Sequence, residues 1–336
     1  MSPLGRMLLA AASMVAVLAG MRAASTIMGP MMIALLITIA WSPGSLWLQR
    51  RGWRPTIAAL TGILLGVVIL GLFALLVWIS LQQLQGKLPT YKARIETLQV
   101  EIRGMLANLP FDTSQMFTSD SVKPDALVGY ALTGVKKISA AAGKMVVLVV
   151  LMAFMMLEGV RYPEKLESAL GGFPGAKDRF TRFGAVMRSY ITVNSIFGLI
   201  AAAINTVLLL ALGVDFAILW GVVSFLLSFV PNIGFVVALV PPALLALIEL
   251  GFGRSMAVVA GYVIINFLVD NVIKPRFVAE HVDLAPIVIV LSLLFWGWLI
   301  GPMGALVAVP LSIAAKFIFE SFEDSRWLAR LMSDSK

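Results

Sequence analysis

Apolar residues fill this chain in long runs separated by shorter polar stretches, a pattern of membrane spans joined by loops. One run organises the rest. From Ala217 to Gly251 nearly every residue is apolar, yet Pro231-Asn232-Ile233-Gly234 interrupts it near the middle and Pro241-Pro242 interrupts it again. A continuous helix through it would reach roughly 50 Å, against a bilayer core of about 30 Å. Each half, at roughly 14 to 17 residues, is short for a crossing of its own. Two half-helices folded back at Pro231–Gly234 resolve the mismatch as a re-entrant hairpin, whose tip must rest on protein or water. Pro286 to Phe319 repeats the grammar, with Gly301-Pro302-Met303-Gly304 at its break and Pro310 beyond. Paired Gly/Pro-interrupted segments in corresponding places point to a transporter's binding site. The competing reading is two kinked spans, because Pro and Gly are common in membrane helices.

The other runs follow in order. Residues 1–80 read as three spans: a helical hairpin turning near Arg22, then a third helix starting at Pro55 and ending about Ser80. The first run resembles a signal-peptide core, but a second hydrophobic span follows at once, so it reads as uncleaved. The arginines of Gln49-Arg50-Arg51-Gly52-Trp53-Arg54 place that loop in the cytoplasm, and the amino terminus with it. Gly62, Gly66 and Gly71 allow close helix contact along the third span. Residues 81–137 turn polar, with an apolar face at Ile95, Leu98, Ile102, Met105 and Leu109. That face reads as an amphipathic helical insert on the outer side, either packed on its neighbours or forming an oligomer contact. Residues 138–157 cross back, 158–188 form a basic cytoplasmic segment, and 189–320 hold the core, with hairpins 217–251 and 286–319. Residues 321–336 are a cytoplasmic tail. Positive-inside favours hairpins of opposite orientation, because they leave Lys274 and Arg276 in the cytoplasm.

Composition narrows the chemistry. With 60% hydrophobic and 13% charged residues, the chain is an all-α polytopic membrane protein: six spans plus two inverted hairpins, or eight spans if the broken segments cross. Its +8 charge suits loops that meet anionic lipid and gives no cue to nucleic acid. Cys is absent and His281 is the single histidine, so thiolate and His-cluster metal sites are excluded, and no cofactor is implied. GxSxG and GxGD are both missing, which argues against intramembrane proteolysis and for a non-enzyme.

What remains is transport. Unwound backbone at Pro231–Gly234 and at Gly301, Pro302 and Gly304 offers donors and acceptors at mid-membrane. Ser224, Ser228 and Asn232 lie at helical spacing on one face. Asp270 and Asn271 end a span; a carboxylate there is either a coupling group or an interfacial partner of Lys274, four residues on. Asn194 and Asn205 sit within the fifth span, as ligands or as glue between helices.

Phe229-Val230-Pro231-Asn232-Ile233-Gly234 with Pro241 is followed by Asp270-Asn271 and Lys274-Pro275. Next come Val282-Asp283-Leu284-Ala285-Pro286 and Gly301-Pro302-Met303-Gly304 with Val309-Pro310. In this order the motifs resemble the AI-2E family, the autoinducer-2 exporters or PerM-like permeases. Two positions depart from the family pattern: Ala285, where a His is frequent, and Glu280-His281, where a Gly-Lys pair is common. The resemblance implies a transporter of the bacterial inner membrane working as a homo-oligomer, with a pentamer possible. Its substrate would be a small molecule or an ion, the furanone signal autoinducer-2 in some members and sodium against protons in others. Within that frame Pro241, Pro275 and Pro310 are secondary site candidates. Export of a small polar molecule is the favoured expectation, antiport through Asp270 the alternative, and a non-transporting assembly protein the alternative of another class.

Overall fold

The computed structural model describes residues 2–106, 145–160, 176–231, 233–276 and 284–334, with Lys165 and Ser168. Asn232, residues 277–283 and most of the polar insert lie outside the described residues. Among the described residues the chain is all helical. In order these are α1 (Pro3–Ala23), α2 (Ser25–Arg50), α3 (Pro55–Leu106), α4 (Met145–Gly159), α5 (Ala176–Leu212), α6 (Ala217–Leu227) and α7 (Ile233–Leu250). Then come α8 (Phe252–Phe267), α9 (Pro286–Ile300), α10 (Pro302–Leu306), α11 (Ala308–Ser321) and α12 (Arg326–Met332). Stretches Ser25–Arg50, Pro55–Lys87, Asp178–Leu212, Ile233–Leu250 and Phe252–Ile273 are each long and apolar enough to cross a membrane. This is a multi-pass membrane protein.

Both broken stretches fold back on themselves. In the first, α6 and α7 return side by side, and their outer ends meet where Lys87 pairs with Asp215 and stands 3.9 Å from Glu249. In the second, α9 and α11 lie together through Ser312 Oγ, which donates to Ser292 Oγ at 2.6 Å and accepts from Trp296 Nε1 at 3.2 Å. One glycine makes each turn possible. A Cβ at Gly234 would strike the Leu227 carbonyl oxygen, and one at Gly304 would strike that of Trp296. A straight but kinked helix through either stretch is therefore not what forms.

Helix α5 shows that the hairpins oppose each other. Near its start, Phe180 and Phe183 pack on Phe317, with ring centroids 5.7 and 4.7 Å apart, and Met187 and Ile191 pack near Val309 and Ile313. Further along, Gly198 faces Ser228, Thr206 faces Gly221, and Leu209 shares a cluster with Ala217 and Ala246. The second hairpin thus opens at the start of α5 and the first at its end. Their inner parts meet near its middle, where Val230 packs with Leu293 and Ala308. Basic residues gather at one end of this axis. Helix α2 runs from Gly29, which sits on Met303, past Ile39 in the Met187 cluster, and so brings Arg50, Arg51 and Arg54 toward Arg179 and Arg182.

Two expectations need correction, and two helices extend beyond the spans read for them. Pro241 and Pro242 do not break the chain, because both lie inside the continuous α7; membrane helices tolerate Pro where neighbours re-satisfy the freed carbonyls. The helix of the third span continues past Ser80, through Pro89, to Leu106, so the polar insert begins as part of the same helix. The helix of the fifth span begins at Ala176, so residues 176–188 of the segment read as cytoplasmic form its first turns. Finally, α1 and α2 are separated by Ala24 alone, too little chain for an antiparallel return, so they meet at a bend. Of the three α3 glycines, Gly62 lies against the Trp41 ring and Gly66 against Met152, while Gly71 has open space beside it.

Candidate functional site

The first hairpin, α5 and α8 enclose a cavity of about 500 Å³. Helix α5 contributes Tyr190, Asn194, Gly198 and Asn205; α6 and the turn after it contribute Ser224, Ser228, Val230 and Pro231; α8 and the turns beyond it contribute Tyr262, Asn266, Asp270, Asn271 and Lys274. In a low-dielectric interior each polar group needs a partner, and several find one on their own helix. Asn194 Nδ2 donates to the Tyr190 carbonyl and Asn266 Nδ2 to that of Tyr262, both at 2.8 Å. Ser228 Oγ donates to the Phe225 carbonyl at 2.7 Å, and Ser224 Oγ reaches the Tyr262 hydroxyl at 3.4 Å. Two buried side-chain atoms of the lining residues lack a protein partner. Asn205 is 1% exposed and its Oδ1 has no protein partner, and the same holds for the buried Tyr190 hydroxyl. Each of these buried polar atoms carries a desolvation cost that no protein hydrogen bond offsets.

Charge sits at the other end of the cavity. Asp270 lies in a π-helical turn, Leu268–Ile273, next to the 3₁₀ turn Lys274–Arg276 that contains Pro275. Proline lacks the N–H that would bond the carbonyl four residues back, so a regular helix cannot continue there. The Asp270 side chain is 51% exposed and its Oδ1 lies 3.4 Å from Lys274 Nζ, the interfacial pairing that its spacing allows. Asn271 Nδ2 donates to the Phe267 carbonyl at 3.2 Å.

Of the residues singled out in the sequence, Ser228, Pro231, Asp270, Asn271, Asn194 and Asn205 therefore meet around one space. Gly234 lies behind it, closing the hairpin turn. Gly301, Pro302 and Gly304 do not reach the cavity. Their turn packs on α2, where Gly29 meets Met303 and Ile300, and the Arg22 guanidinium lies 4.6 Å from the Trp298 ring centroid. Pro310 lines a small apolar pocket with Met32, Phe183 and Met187, and in the first turn of α11 its missing N–H costs little. Pro241 is a helix-interior residue. Among the described residues no group of three His, Asp or Glu side chains could hold a metal.

The sequence reading missed Tyr190, Tyr262 and Asn266, which no motif marks. It also missed a polar cluster at the mouth of the first hairpin, where Lys87 and Tyr91 of α3 meet Asp215 and Glu249. Burial works to raise the Asp215 pKa, but hydrogen bonds with Lys87, Glu249 and Tyr91 outweigh it and hold the carboxyl below its ordinary value. Burial first, and then the hydrogen bond to Asp215, push the Tyr91 phenol up, so it remains a donor.

Residues 11–324 match the family described as AI-2E family transporter. The chain is 30% identical over 323 residues to the AI-2 transport protein TqsA of Escherichia coli (strain K12), covering 96% of this chain and 93% of that protein. It is 33% identical over 341 residues to a putative transport protein of Haemophilus influenzae, covering 98% and 97%. A sodium-lithium/proton antiporter of Halobacillus andaensis is 23% identical over 312 residues, covering 85% and 87%.

Proposed function

Because this chain belongs to the AI-2E transporter family, we propose that it exports a small, neutral, hydroxyl-rich molecule through the cavity between α5, α8 and the first hairpin. Autoinducer-2 is the cargo we infer, following the relative named as its transporter. The observation that carries the reading is the chemistry of the inner wall. Asn194, Asn205, Ser224, Ser228, Tyr262 and Asn266 present amides and hydroxyls, while the Asp270–Lys274 pair stands at the half-exposed end. Neutral donors and acceptors read hydroxyl groups without the desolvation cost that a bare charge would impose. The arginine-rich end is the cytoplasmic one by the positive-inside rule, and the membrane is the bacterial inner membrane. Assembly as a homo-oligomer belongs to the same reading.

The second reading is sodium–proton exchange through Asp270, which the antiporter relative favours. Against it, Asp270 is paired with Lys274 and half exposed, whereas a coupling carboxylate works by exchanging ions at a desolvated site. Flux in proteoliposomes separates the two. Autoinducer-2 uptake that survives Asp270→Asn is the expected result. Sodium-dependent proton movement that is lost in Asp270→Asn would replace the exporter with an antiporter.

A further inference from the structure

Helix α3 is 52 residues long, about 78 Å, far more than a bilayer core needs. Past its apolar part it presents Lys87, Tyr91 and Arg94 at steps of four and three, on one face. All three reach the mouth of the first hairpin. Lys87 Nζ pairs with Asp215 and stands 3.9 Å from Glu249 Oε1. The Tyr91 hydroxyl donates to Asp215 Oδ2 at 2.9 Å, and Arg94 Nε donates to the Ile248 carbonyl at 3.2 Å. Asp215 precedes α6 and Glu249 ends α7, so one helix face holds both ends of the hairpin. Lower down, Phe73 and Val77 pack on Phe216 and Leu219.

The same ends carry the strained backbone. Gly213 has φ 75° and Gly251 has φ 87°, and between α5 and α6 Phe216 sits at φ 59°, the one non-glycine residue of positive φ among the described residues. A bulky L residue adopts that conformation only where its surroundings enforce it. The cavity stops just short of this region. Beyond Asn205 and Ser224, a layer of Leu209, Val214, Ala217, Ala246 and Val258 closes it on the α3 side. Cargo leaving on that side must part this layer, and the element with a bend at each end is the first hairpin. Lys87 is 46% exposed and Asp215 26%, which makes the ion pair weak enough to break within a transport cycle.

We propose that the Lys87–Tyr91–Arg94 face of α3 is a strap that holds the first hairpin shut over the cavity. Release of Asp215 and Glu249 lets the hairpin swing about Gly213–Phe216 and Gly251, opening the cavity on the α3 side. The inference rests on the cavity being the transport path.

The test uses the absence of cysteine in the chain. Ala201→Cys, on the cavity wall, is placed in reconstituted full-length protein and alkylated by an impermeant thiol reagent from one side at a time. With Lys87→Met and Tyr91→Phe, labelling from the α3 side rises at least about tenfold, while labelling from the Asp270 side stays unchanged. The charge swap Lys87→Glu with Asp215→Lys returns the α3-side rate to the starting value. An unchanged α3-side rate in the first variant would overturn the strap, as would a swap that labels as fast as the broken pair. Acceleration from both sides together would mean general loosening and would also overturn it. Failure of the transport reading looks different: Ala201→Cys in the otherwise unaltered protein would then resist labelling from the Asp270 side.

Discussion

The two hairpins share a grammar and differ in what surrounds them. Each turns on a glycine that touches a backbone carbonyl, Gly234 on Leu227 and Gly304 on Trp296. The first keeps its tip at the cavity, through Ser228, Val230 and Pro231, and its mouth is held by polar side chains of α3 beside bends at Gly213, Phe216 and Gly251. The second buries its turn on α2, locks its helices through Ser292, Ser312 and Trp296, and stacks its outer end on Phe180 and Phe183. Half-exposed ion pairs contribute little and reform easily, whereas buried hydrogen bonds and ring packing do neither. On the proposed transport path the two hairpins divide the labour, the first handling cargo and the second serving as its fixed support.

Substitutions can break that division, beginning with the largest effect. Gly234→Val forces a side chain into the Leu227 carbonyl and deforms the tip at the cavity. Flux should fall by about two orders of magnitude, since misplacing a site by an ångström costs about that much, while the protein still inserts in the membrane. Gly304→Val makes the equivalent collision in the support. It should abolish flux as well, but with a lowered Tm in detergent, because overpacking there costs about 1–3 kcal/mol. Normal flux in both variants would remove the hairpins from the mechanism. Asn205→Leu deletes the unpartnered buried amide oxygen beside the cavity, and transport should drop about tenfold with Tm nearly unchanged. Ser312→Val reverses that profile. It leaves Ser292 and Trp296 without their shared partner, costs about 1–3 kcal/mol of stability, and leaves flux per folded molecule within about twofold.

The smallest expected effect concerns pH. Asp215 has a lowered pKa in the fold, so its pairing adds stability above the ordinary value of 3.8 and loses it as pH falls through the lower, folded value. The strap should therefore stay closed across neutral and mildly acidic conditions, and the ratio of α3-side to Asp270-side labelling of Ala201→Cys, which cancels the thiolate fraction, should be flat from about pH 5 to 8. A rise of that ratio toward the acid end of the window would mean that the carboxyls at the mouth, Asp215 and Glu249, titrate there.

Much of this comparison was legible in the residues. Length against bilayer thickness exposed the two folded-back segments, and the breaks at Pro231–Gly234 and Gly301–Gly304 marked their turns. Asn194, Asn205, Ser228 and Asp270 stood out because polar groups within apolar runs need a reason. The difference between the turns was not legible, because it comes from partners distant in sequence. Gly29 on α2 covers one turn, while Asn205 and Tyr262 leave space beside the other. Asp215 and Glu249 are 34 residues apart and Lys87 lies farther still, so the cluster exists only after the hairpin closes. The polar half of α3 looked like a new segment because its composition changes, although its backbone continues as one helix.

The most direct test of the division is protection by cargo. Ser228→Cys and Met303→Cys are alkylated separately in reconstituted protein, with and without saturating autoinducer-2. Cargo should slow alkylation at Ser228→Cys several-fold and leave Met303→Cys unaffected. Protection at Met303→Cys equal to that at Ser228→Cys, or none at Ser228→Cys, would contradict a cavity served by the first hairpin alone.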